Sequence, residues 1–245
     1  MRLALVSDIH GNLPALEAVE ADLAGRAVDA VLNLGDSLSG PLLPLETARH
    51  LMATGWLHLA GNHERQLLGD PARMGLSDAH ARARLGDAEL AWIAGLPPRA
   101  AYAPGVHLCH GTPASDLVYL LETVERTGLR AATAAEVEAR LGDVDAALVA
   151  CGHSHVPRAV RARRGALVVN PGSVGLPAYD DGNPHPHVVE TGSPDARYAI
   201  VETVAGGWRA ELVSVPYDHA AMAALARERG REDWARALAT GYVRT

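Results

Sequence analysis

Eight polar side chains follow directly on short apolar runs of the chain: Asp8 and His10 in "LALVSDIH", Asp36 in "AVLNLGD", Asn62 and His63 in "WLHLAGNH", His110 in "VHLCHG", and His153 with His155 in "ALVACGHSH". Singly, an Asp or His after a strand is an ordinary turn former. Together they offer carboxylate, amide oxygen and imidazole donors, a set that suits Mn, Fe, Zn, Co or Ni. The chain has 2 Cys, too few for a structural zinc cage. Leaving His63 aside, the remaining donors outnumber what one tetrahedral ion needs, and a carboxylate such as Asp36 can bridge two ions. The count favours a two-metal centre. Two ions about 3.5 to 4 Å apart clamp a phosphoester, lower the pKa of water and stabilise an in-line displacement. Gly35, Gly61, Gly111 and Gly152 beside these residues permit tight turns and close backbone approach.

The donors run from residue 8 to residue 155, so only a fold that gathers strand ends can bring them together. Each apolar run, with "ALVVNPGS" as a sixth, has the length and near-continuous apolar character of a strand buried on both faces. Helical patterns lie between them. In "NLPALEAVEADLAG", Asn12 is the expected N-cap, Pro14 sits in the first turn, and Leu13, Leu16, Val19 and Leu23 recur at helical spacing before Gly25 closes the segment. "PLETARHLMAT", "SDAHARARLGDAELAWIAGL" and "TAAEVEARLGD" read as one helix each. Strands alternating with helices predict an α/β core, whose strand carboxyl ends line one edge where ligands bind. After Asn170, "DARYAIVETVAGGWRAELVSVPYD" reads as a hairpin turning at Gly206 and Gly207, forming a second sheet or a sheet edge. The tail at about 218–240 is an amphipathic helical segment, capped by Asp218 and broken at Gly230, expected to pack on a single domain of residues 1–245.

Of the 245 residues, 48% are hydrophobic and 21% charged, the composition of a globular protein that folds by itself. A net charge of -7 argues against nucleic acid as a partner, because nonspecific binding relies on basic residues displacing counterions. "MRLALVSD" lacks a signal-peptide core and cleavage site, and no run approaches the roughly 18 apolar residues of a membrane span. The expectation is a cytoplasmic protein with no membrane partner. Cys109 and Cys151 are read as small buried hydrophobes rather than a disulfide.

In this order, "SDIHGN", "LGD", "GNHE", "CHG" and "CGHSH" resemble the motifs D-x-H, G-D, G-N-H-D/E, H and G-H-x-H of the calcineurin-like metallophosphoesterase superfamily. "NPGSVG", at 170–175, resembles its small bacterial and archaeal phosphodiesterase branch. The resemblance implies an α/β/β/α fold, two mixed β-sheets packed as a sandwich flanked by helices, with the site at one edge. It implies that Asp8, His10 and His155 bind one metal, that Asn62, His110 and His153 bind the other, and that Asp36 bridges. It gives His63 the part of proton donor or transition-state stabiliser, Glu64 that of orienting His63, and Ser154 that of a spacer between imidazoles serving different ions. The activity implied is hydrolysis of a small phosphoester, a diester being favoured, by a metal-bound hydroxide. Two divalent transition-metal ions are the implied cofactors, with manganese favoured. A phosphomonoesterase, a protein phosphatase or a dinucleoside polyphosphate hydrolase is the alternative. A non-catalytic binding scaffold of the same fold is the reading from another class, and the intact donor set counts against it.

Three stretches bear on substrate choice. The segment at 176–195 is long for a link between the N-P-G-S motif and the next strand, and although His185 and His187 could touch substrate it reads as a solvated surface loop. Arg161, Arg163 and Arg164 read either as a phosphate lure or as charges guarding a strand edge. Segments 64–96 and 113–142 are expected to flank the cleft and set its selectivity.

Overall fold

Strand β1 (Arg2–Val6) shows why near-continuous apolar runs specify this fold. Its Leu3 and Leu5 face a second sheet, while Ala4 and Val6 face a layer of helices, so both sides are buried and neither can be polar. The structure is a computed structural model describing residues 1–244. β1 pairs in parallel with β2 (Ala30–Asn33), which pairs in parallel with β3 (Leu57–His58). Helices α1 (Leu13–Leu23) and α2 (Pro44–Met52) make the crossovers. On its other side β1 pairs antiparallel with β13 (Ala196–Val204), which forms a hairpin with β14 (Gly207–Val215). The anticipated hairpin is therefore the edge of the first sheet, ordered β14-β13-β1-β2-β3.

The second sheet, ordered β4-β5-β8-β10-β9, has a parallel core of β5 (Val106–Cys109), β8 (Leu148–Ala150) and β10 (Leu167–Asn170). Antiparallel β4 (Arg99–Ala103) and β9 (Arg158–Arg161) close its edges. Leu32, Leu34, Leu108, Leu148, Val169 and Val201 join Leu3 and Leu5 in the layer between the sheets, giving the expected sandwich. The outer face of the second sheet is covered by α6 (Ala134–Leu141) and by Leu120 and Leu121, which lead into the hairpin of β6 (Glu122–Glu125) and β7 (Gly128–Ala131), over Cys109, Val149, Cys151 and Val168. Both cysteines are free and buried, as expected.

α1 forms where it was read: the Asn12 side chain accepts from the Ala15 N–H at 3.3 Å, and Leu16, Val19 and Leu23 are buried. The single helix expected over 77–96 is two, α4 (Leu76–Arg82) and α5 (Asp87–Ala94), following a short α3 (Asn62–Leu67). The break has a local cause: Glu89 turns back to accept the Gly86 N–H at 2.9 Å, a capping interaction that starts a new helix. The segment at 176–195, read as a solvated loop, instead forms the hairpin β11 (Ala178–Asp181) and β12 (His187–Glu190), and His187 is 4% exposed. Tail helices α7 (His219–Glu228) and α8 (Glu232–Thr240) separate at Gly230 and bury Trp234 and Leu238 against Leu42, Leu176 and Ala178. No helix among the described residues is long and apolar enough to cross a membrane.

Candidate metal centre

The carboxyl ends of β1, β2, β3, β5 and β8 meet at one edge of the sandwich, fixed there by backbone bonds that join strand ends within each sheet and, from Gly175 to Asp8, across the two sheets. The Asp8 N–H donates to Gly35 O at 2.9 Å, Gly152 N–H to His110 O at 2.7 Å, and Gly175 N–H to Asp8 O at 3.0 Å. A Cβ on Gly61 would lie 2.2 Å from Asp36 Oδ1, and one on Gly152 would lie 2.0 Å from Ser7 Oγ, so these two positions admit no side chain.

At this edge Asp8, His10 and His155 form one group and Asp36, His110 and His153 a second, the potential ligand atoms of each lying within 4.8 Å of one another. Five of these residues have left-handed backbone: Asp8, His10, Asp36, His153 and His155 have φ of 56°, 52°, 55°, 68° and 57°. Such conformations cost about 1–3 kcal/mol each and persist at functional sites where the surroundings over-determine them.

The imidazoles are oriented from behind. His10 Nδ1 donates to Ser39 O at 2.7 Å, His155 Nδ1 to Leu176 O at 2.8 Å and His110 Nδ1 to Leu34 O at 2.9 Å. Each therefore turns Nε2 inward. His10 Nε2 lies 3.2 Å from His155 Nε2, His155 Nε2 lies 3.4 Å from Asp8 Oδ1, and His110 Nε2 lies 3.0 Å from Asp36 Oδ2 and 3.1 Å from Asn62 Oδ1. Carboxylate, amide and imidazole donor atoms packed this closely fit divalent cations, and the backbone-anchored Nδ1–H is the arrangement that fixes a ligating tautomer. Asp8 Oδ1 is buried without a hydrogen-bond partner, while its Oδ2 accepts the His153 N–H at 3.1 Å. Burial and the neighbouring imidazoles push His10 down to about 3, and burial with the charge of His110 pushes His153 down to about 4. For His110 burial acts downward too, but Asp36 overrides it and holds the ring up to about 10. Burial raises Asp36, yet His110 and His63 hold it well below the usual carboxylate range.

His63 lines the cleft beside His10, with ring centroids 5.5 Å apart. Its Nδ1 meets Asp78 Oδ1 at 2.8 Å, and against burial Asp36 and Asp78 push it up to about 9. Here the structure corrects the sequence reading. Glu64 does not orient His63; its carboxylate accepts the N–H groups of Asp36, Ser37 and Gly61, each at 2.8 Å, and so ties the loop after β2 to the start of α3. The orienting carboxylate is Asp78, from α4, which no local signal singled out.

A model of the calcineurin-like phosphoesterase superfamily domain matches residues 1–193. The chain belongs to that superfamily. Among solved structures, a metallophosphoesterase from Sphaerobacter thermophilus is 27% identical with a TM-score of 0.76, covering 98% of this chain and 99% of that one. The hypothetical protein PH1004 from Pyrococcus horikoshii OT3, 17% identical, superposes with a TM-score of 0.74 over 98% of both chains and shares the fold. An uncharacterised protein of Methanocaldococcus jannaschii is 36% identical over 67 residues, which is 27% of this chain and 28% of that protein.

Within the superfamily fold, this chain surrounds its site with a cleft of about 1270 Å³. Segments 65–78 and 117–124 line it as expected, and Arg231, just before α8, with Asp233 and Trp234 of α8, adds a wall that the sequence reading left out. The Trp234 ring lies 5.9 Å from His10, edge-on. His187 reaches the site through Tyr119: the Tyr119 hydroxyl lies 3.0 Å from His187 Nε2 and 2.7 Å from the Tyr179 hydroxyl. His185 contributes its carbonyl to His187 Nδ1. Arg161 ends the edge strand β9 and donates to Trp208 O at 2.5 Å, while Arg164, in the turn before β10, lies 3.6 Å from Glu138; this suits the strand-edge reading.

Proposed function

We propose that this chain is a dinuclear metal-dependent phosphodiesterase. The observation that carries the reading is the pair of inward-facing donor groups at one sandwich edge, five of the six residues in left-handed backbone and His10, His110 and His155 oriented through Nδ1. Asp8, His10 and His155 would hold one ion, and Asn62, His110 and His153 the other, with Asp36 between them; manganese is the favoured metal. When bound, the ions supply Lewis acidity that activates water and neutralises charge on the phosphoryl oxygens. His63, its Nδ1 engaged by Asp78, keeps Nε2 as the ring atom able to give a proton to the leaving oxygen.

Charge supports a diester. The cleft walls carry Asp70, Asp180 and Asp181 against the single unengaged cation Arg73 among the described residues, whereas Arg65 is engaged by Asp116, Arg231 by Asp233 and Arg140 by the carbonyls of Leu120 and Glu122. A monoanionic diester meets less repulsion there than a dianionic monoester or a polyphosphate. Leu117 and Val118, 57% and 44% exposed on the cleft wall, offer apolar surface to an organic ester group.

The test is elemental analysis of protein purified without chelator, joined to turnover of bis-p-nitrophenyl phosphate and p-nitrophenyl phosphate. Near two ions per chain, preference for the diester, and a kcat about 10²-fold lower in His63→Ala with metal retained are expected. No uptake after reloading, or an Asp36→Ala variant as active as wild type, refutes the reading.

A further inference from the structure

Ser154 lies between His153 and His155, whose left-handed conformations (φ 68° and 57°) must be held by something. The Ser154 side chain is fully buried and clamped. Its Oγ donates to Glu122 Oε2 at 2.5 Å and accepts from Asn170 Nδ2 at 3.0 Å. Glu122, 2% exposed at the start of β6, is fixed in turn: Oε1 accepts from Arg158 Nε at 2.8 Å, and its carbonyl accepts from Arg140 Nη1 at 2.8 Å. The same wall braces the imidazoles from the cleft side, with the Tyr119 ring 4.8 Å from His153.

We infer that Glu122, acting through Ser154, is a positioning residue that sets both imidazoles of the G-H-S-H loop toward their separate ions. This rests on His153 and His155 being metal ligands. Ser154 is thus an anchor rather than a spacer, because its hydroxyl transmits the position of a hairpin residue 32 positions away to two donors at once. Removing the hydroxyl leaves a buried carboxylate oxygen without its donor, and the loop is free to relax from its left-handed turns.

The test is calorimetric titration of Mn2+ into chelator-treated wild type, Ser154→Ala, Glu122→Gln, the double variant and Ser154→Thr, with urea midpoints of the same metal-free proteins. Val137→Ala, a core truncation in α6 beneath the same sheet, serves as a control for lost stability alone. Each single variant is expected to weaken Mn2+ binding by about ten- to hundredfold. The double variant should lose no more than the worse single one, since the two residues act in series. Ser154→Thr, which keeps the hydroxyl, should bind close to wild type, and Val137→Ala should lower the urea midpoint without weakening binding. Wild-type affinity in Ser154→Ala and Glu122→Gln overturns the inference, as does equal weakening in Val137→Ala. Absence of Mn2+ uptake by wild type instead overturns the dinuclear reading on which it stands.

Discussion

Replacing Glu64 by Gln removes one oxygen acceptor from a site where three backbone donors converge. Oε2 accepts both the Asp36 and Gly61 N–H groups, and Oε1 accepts that of Ser37. The best an amide can do is keep its oxygen on Asp36 and Gly61, which sets its NH2 against the Ser37 N–H. That forfeits a charge-assisted hydrogen bond, worth about 1.5–3 kcal/mol, and strands buried donors at about 1–3 kcal/mol. Part of this is offset, because burial and the Asp36 charge push the Glu64 carboxyl up and the substitution relieves both. The net loss is about 2–4 kcal/mol, or a Tm lower by about 5–15 °C for a chain of this size. Circular dichroism melts of metal-free protein measure it without ligand stabilisation masking the effect. A Tm within about 2 °C of wild type, together with the same kcat loss as His63→Ala, would sink the reasoning and restore Glu64 to the role of orienting His63.

Two further expectations test neighbouring claims. Asp78→Asn removes the partner of His63 Nδ1, so kcat on the diester should fall by about 10- to 10²-fold at unchanged metal content; wild-type kcat refutes the orienting role. His58 accepts from Asn33 Nδ2 at 3.1 Å through Nδ1, and burial pushes it down to about 4, so the native ring stays neutral. Its contribution to stability is present above the ordinary histidine pKa near 6.5 and is lost as pH falls from there to about 4, because the unfolded chain takes up a proton the native state refuses. His58→Gln abolishes that loss. The stability gap between wild type and variant should therefore shift by about 2–3 kcal/mol between pH 7 and pH 4 in urea titrations of metal-free protein, and parallel pH profiles refute the assignment.

Wherever a decision was local, the sequence was sufficient. The strands buried on both faces show in continuous apolar runs, the start of α1 in Asn12 and Pro14, and the break before α8 in Gly230. These features depend on residues within a few positions of each other, which is why period and capping chemistry reveal them. The split between α4 and α5 and the bond from Gly61 to Glu64 were also within reach. Both follow from a Glu three residues after a glycine, Gly86 to Glu89 and Gly61 to Glu64, turning back on a helix start. The donor types were legible too, since carboxylates and imidazoles at strand ends carry their chemistry in any fold.

What only the tertiary structure decided is which group meets which across the chain. The Tyr119 hydroxyl meets Tyr179 and His187, 60 and 68 residues away, and the polar run around Pro184 conceals that β12 turns His187 inward. Asp78 meets His63 because α4 folds back over α3, and Glu122 meets Ser154 because Leu120 and Leu121, just before β6, pack onto the second sheet. The sequence by itself determined a two-sheet α/β scaffold and the donor chemistry at its edge. Packing determined how those donors are aimed, because their orienting bonds join segments that approach only once the two sheets have closed on their shared apolar layer.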